Sequence, residues 1–119
     1  MKKVVIWRQR DDAWFALASI VNLTPGFFCI KAQTPFEILK HVEENNAFLV
    51  ITGLGTEGND VFQVLKELKG KSAEIFVISY SNPDRIEMAK KILGPERVFN
   101  GSQWEEFYHQ IKNFLEKNC

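Results

Sequence analysis

The stretch FLVITGLGTEGNDVFQVLKELK, residues 48–69, runs from an apolar segment through three glycines into what reads as an amphipathic helix. The apolar part shows no polar alternation, the pattern of a strand buried on both faces. The helical part, DVFQVLKELKG, ends at Gly70, a residue suited to close a helix. Between them Gly53, Gly55 and Gly58 spell G-x-G-x-x-G. That pattern serves dinucleotide phosphates when it opens the first strand–helix unit and an acid follows about twenty residues later. Here it follows the third apolar run, and Ile78 and Ser79 stand where the acid should be. The spacing therefore favours a permissive loop over a dinucleotide site.

Outward from this segment the same unit repeats. KVVIW, GFFCIKA, AFLVIT, AEIFVIS and RVF read as strands, and a helical pattern follows each. DDAWFALASIVN places Trp14, Leu17, Ala18 and Val21 on one face, with Asp11 or Asp12 available to cap its start. TPFEILKHVEEN carries Thr34 as N-cap, Pro35 in the first helical position and Glu37 three residues after the cap. NPDRIEMAKKILG has Pro83 near its start and Gly94 past its end, and SQWEEFYHQIKNFLEKN closes the chain. Parallel neighbours need crossover connections, so five such units predict an α/β fold, a (βα)5 doubly wound parallel five-stranded sheet between two helical layers. Residues 1–119 are expected to form a single domain. Ligand chemistry in such sheets gathers at the C-terminal strand ends. That selects Arg8–Asp12, Thr52–Gly58, Ser79–Asn82 and Asn100–Ser102.

Composition narrows the function classes. Fifteen basic residues balance fifteen acidic ones, so no global field draws the chain to nucleic acid or anionic membrane. Cys29 and Cys119 cannot build a disulfide framework, and Cys29 reads as a small core residue. The N-terminal apolar run is too short for a signal-peptide core, and no stretch approaches the ~20 residues of a membrane span. A reducing, cytoplasmic setting is expected, and the sequons at Asn22 and Asn100 then carry no meaning. His41 and His109 read as surface residues, no metal-ligand spacing is present, and no cofactor is expected.

The layout, with AQTPFEIL after the second strand, FQVLKELK after the third and VISYSNPDR after the fourth, resembles the receiver domain of two-component response regulators. The resemblance covers the whole chain and implies a flavodoxin-like sandwich. It also implies an acidic pair after the first strand, a phospho-accepting aspartate after the third, a hydroxyl after the fourth and a lysine after the fifth. Carboxylates there would hold a hard divalent cation that neutralises the transferred phosphoryl group. In this chain the acidic pair falls on Arg8 and Gln9. The acceptor falls on Thr52, with Gly53 the one close alternative. Ser79 matches the hydroxyl, and the lysine position falls near Gly101, with no lysine between Lys91 and Lys112. Asp11 and Asp12 lie a few residues late, as helix caps or displaced metal ligands.

An arginine cannot coordinate a cation, and threonine cannot form an acyl phosphate. The expectation is a degenerate receiver with no catalytic residue and no enzymatic activity. It would be a phosphorylation-independent regulatory module that binds a protein partner or homodimerises. Trp104 and Tyr108 lie at i, i+4 spacing beside the apolar stripe Phe107, Ile111, Phe114 and Leu115. They either border the core or form an interface. The alternative function is small-anion or nucleotide sensing by a remnant phosphate pocket of Arg8, Thr52, Gly53, Gly55 and Ser79. Against it, Arg8 could pair with Glu57 or Asp60.

Overall fold

The computed structural model describes residues 1–119. Its strands are β1 Lys2–Trp7, β2 Phe27–Lys31, β3 Leu49–Thr52, β4 Glu74–Ser79 and β5 Val98–Asn100. The helices are α1 Asp11–Asn22, α2 Pro35–Asn45, α3 Asp60–Leu68, α4 Pro83–Leu93 and α5 Trp104–Lys117. All strands are parallel in the order β2-β1-β3-β4-β5, the five-stranded α/β sheet expected from the sequence.

The unbroken apolar runs have the cause inferred for them, since each strand feeds two cores. Val5, Trp7, Val50, Ile75 and Val77 face one layer, where Ile38, Val42, Leu65, Leu68 and Ile86 of α2, α3 and α4 meet them. Val4, Ile6, Leu49, Ile51, Phe76 and Ile78 face the other, against Leu17 and Val21 of α1 and Phe107, Ile111 and Leu115 of α5. Phe107 is fully buried and sets its ring edge-on to Phe99 at 5.5 Å. Burying one such side chain contributes about 1.5–3 kcal/mol. The half-buried Cys29 packs at the rim of the second core, where desolvation pushes its thiol up to about 11. No helix is long and apolar enough to cross a membrane.

Helix ends follow the sequence signals in part. Thr34 Oγ1 accepts from the Glu37 amide at 3.2 Å, and the Glu37 carboxylate reaches back to the Gln33 amide. A cap of this kind contributes about 1 kcal/mol. Asn82 caps α4 in the same way, through the Arg85 amide at 3.0 Å. Two expectations are corrected. Arg10, in extended conformation, is the N-cap of α1, while Asp11 and Asp12 sit in its first turn. Both carboxylates have cationic partners, with Asp11 on Lys31 and Asp12 on Arg10. Gly70 does not close α3; Lys69 does, in right-handed conformation.

Candidate functional site

Register brings three connections to one edge of the sheet. Trp7 pairs with Thr52 and Thr52 with Val77, so Arg8, Gly53 and the end of β4 converge just beyond the strands. They border a cavity of ≈ 310 Å³ lined by Arg8, Gln9, Gly53, Gly55, Thr56 and Tyr80, among others.

Arg8 is the cation of this site. Its Nη1 donates to the Ile78 carbonyl at 2.9 Å. It forms no ion pair, so the expected pairing with Glu57 or Asp60 is not realised. Burial lowers the guanidinium below its ordinary pKa, partly opposed by the Tyr80 hydroxyl and Asp12. An arginine nevertheless stays protonated in proteins. The Asp12 carboxylate is already engaged by Arg10 at 2.8 and 3.2 Å. Arg10 therefore brings little free charge to the cavity.

The side-chain direction at the end of β3 separates Thr52 from Gly53. Alternation puts Ile51 in the α1–α5 core and Thr52 on the opposite face. Thr52 is fully buried, outside the cavity lining, and donates its hydroxyl to the Gly53 carbonyl at 2.8 Å. A Cβ placed on Gly53 would instead lie 3.2 Å from Arg8 Nε. Gly53, named above only as the close alternative, is thus the position that looks into the cavity. Gly55 has φ +69°, and a Cβ there would meet the Trp7 ring at 3.3 Å, so this turn requires glycine.

Ser79 lies at the cavity wall, but its hydroxyl is committed. The Leu54 amide donates to Ser79 Oγ at 3.0 Å, and Ser79 and Ser81 share a bond of 2.7 Å. Ser81 spends its own hydrogen on the Gly55 carbonyl at 2.9 Å. Ser79 must therefore be the donor to Ser81. The resulting chain ties the β3–α3 loop to the β4–α4 loop and leaves Ser79 no hydrogen for a ligand. Arg85, which the sequence reading did not single out, reinforces the tie. Its Nη2 donates to the Leu54 carbonyl at 2.7 Å, its Nη1 to Gly58 at 2.8 Å, and its guanidinium lies over the Phe62 ring. An arginine in the first turn of α4, opposite a glycine-rich loop, was the only available signal.

Gly101 stands at the start of the connection into α5, and a Cβ there would fall 2.3 Å from the Tyr80 ring. That ring occupies the space a side chain at 101 would need, while remaining 74% exposed. Gln9 lies at the cavity mouth, its Oε1 3.7 Å from the Cβ position of Gly55. Trp104 packs its ring on Phe107 at 5.6 Å yet stays 37% exposed, and Tyr108 is half-buried one turn on. His41 and His109 lie on α2 and α5, away from the cavity, each near a glutamate one turn earlier.

No protein-family model matches the chain, and no curated protein matches it in sequence. Solved structures do. A response regulator from Thermotoga maritima superposes with a TM-score of 0.75 at 15% identity, over 98% of each chain. The beryllofluoride-activated NtrC4 receiver domain dimer gives 0.74 at 21% identity, over 100% of both chains. The response regulator domain of Thermotoga maritima CheB gives 0.72 at 10% identity, over 98% of this chain and 95% of that one. At these identities the likeness establishes a receiver-like fold.

Proposed function

We propose that residues 1–119 form one degenerate receiver-like domain, a non-enzymatic regulatory module that works by protein–protein contact without aspartyl phosphorylation. The observation that carries this reading is the pairing of Gly53 with Arg8. The position that faces the cavity has no side chain to accept a phosphoryl group, and the residue opposite it is a half-buried cation. Magnesium ions need oxygen donors, and a guanidinium repels them. The Ser79 chain and the Tyr80 ring over Gly101 point the same way, since neither the hydroxyl nor the 101 position is open to a phosphoryl oxygen. With acetyl phosphate or beryllofluoride plus Mg²⁺, the protein should show no mass gain. It should show no Mg²⁺-dependent shift of the Thr52 and Gly53 amides either. A stoichiometric phospho-adduct would end this reading.

Trp104 and Tyr108 are the residues we assign to contact, because Trp and Tyr dominate interface energies where they are partly exposed beside a core. The receiver-like neighbours include a protein described as a dimer, which makes a second copy the first partner to test. Light scattering should give a mass above the monomer that falls on dilution. Trp104→Ala should weaken that association about tenfold or more. Equal masses for the two proteins at every concentration would remove Trp104 from the interface.

A further inference from the structure

We propose that the cavity beside Arg8 is a binding site for a tetrahedral oxyanion of the phosphate class, free or as the terminal group of a small molecule. Three independent features converge there. Arg8 directs one N–H at the Ile78 carbonyl, and its remaining donors meet no protein acceptor. No carboxylate neutralises it, because the nearby Asp12 is held by Arg10 and by the Ala13 amide. Gly55 and Thr56 line the same cavity, and their amides have no acceptor within the protein.

Gly55 is left-handed, and turns containing such a residue can gather successive amides into an anion-binding concavity. A planar guanidinium adds forked donors matched to phosphate oxygens. A half-buried guanidinium with no ion-pair partner is partly stripped of water, and an anion within reach of it recovers part of that cost. The sign of the site excludes metal cations and selects anions. Its ≈ 310 Å³ also leaves room beside Tyr80 for a group esterified to the phosphate. The hydroxyls of Thr52 and Ser79 take no part, being spent on Gly53 and Ser81.

The site stands apart from the interaction reading. A failed titration here would leave the absence of phosphotransfer untouched, and a phospho-adduct on the protein would not create saturable binding of free phosphate. The test is a titration with inorganic phosphate at constant ionic strength, followed by amide chemical shifts. Saturable downfield movement of the Gly55 and Thr56 protons is expected. Arg8→Ala should weaken binding about tenfold or more, the loss of a charge-assisted contact. Lys66→Gln, which removes an equal charge from the exposed face of α3, should leave the affinity unchanged.

Should Arg8→Ala fail to fold, Arg8→Lys replaces it. Lys keeps the charge but not the fork, and its affinity should fall between wild type and none. Phenyl phosphate provides a second arm: tighter binding than inorganic phosphate assigns the site to an ester, equal or weaker binding to the free ion. No saturable shift up to about 10 mM, a range that covers even millimolar affinity, would overturn the proposal. So would an equal loss of affinity in Lys66→Gln and Arg8→Ala.

Discussion

Arg85→Ala is expected to lower the stability of the domain by about 2–4 kcal/mol, through the loss of two charge-assisted hydrogen bonds. The cost is large because the Leu54 carbonyl, in a residue only 1% exposed, loses the charged donor it is paired with. The contact of the guanidinium with the Phe62 ring is lost as well. Urea unfolding followed by circular dichroism measures the change in midpoint. Hydrogen exchange should show it concentrated at Leu54 through Gly58, since Arg85 and the Ser79–Ser81 chain are what hold that loop to β4. Arg85→Lys, with a single ammonium, cannot span both carbonyls and should recover less than half of the loss. A variant as stable as wild type, with unchanged exchange in the loop, would show that Arg85 is not the clamp.

Gly53→Asp is expected to abolish phosphate binding at the Arg8 cavity. The backbone at Gly53 is not in the left-handed region, so a side chain is tolerated there. Its Cβ would lie 3.2 Å from Arg8 Nε and 3.4 Å from Cδ, the flexible end of a side chain that can yield by a few tenths of an ångström. The carboxylate would then pair with the guanidinium, take over its free donors and repel any second anion. The amide titration described above should lose its saturable component. Gly53→Asn, similar in size and uncharged, should weaken binding less and so separate charge from crowding. The same Gly53→Asp variant should still gain no mass from acetyl phosphate, because its carboxylate faces a fixed cation instead of a metal. Phosphate binding of wild-type strength in Gly53→Asp would place the anion elsewhere.

These two residues also mark where reading the sequence succeeds and where it stops. The fold was legible because each strand is apolar on both faces and because Thr34, Pro35, Pro83 and Gly94 punctuate the helices at the right places. That same doubly apolar pattern hides the face. With no polar alternation in LVIT, counting along β3 could not tell whether Thr52 or Gly53 looks toward Arg8. A shift of one residue reverses the direction. Ser79 was legible as a hydroxyl at the right strand end, but its engagement depends on Ser81 and on two loop groups that only the fold brings together. Arg85 was invisible for a related reason: its partners are main-chain carbonyls 31 and 27 residues away, and carbonyls carry no sequence signature. Glu57 and Asp60 looked like partners for Arg8 because all three fall at or just beyond the C-terminal ends of the strands. In the structure Glu57 lies exposed in the loop and Asp60 occupies the first turn of α3, so neither reaches it.

The Tyr80 ring over Gly101 has an evolutionary consequence. The two positions share one volume, so a side chain at 101 requires the exposed ring at 80 to move. A lineage that acquired any side chain at 101 would first have to lose or turn the ring at 80, and one that enlarged residue 80 would be held to glycine at 101. The pair should drift together, and a lysine introduced at 101 alone would displace the ring at 80 before it reached the cavity.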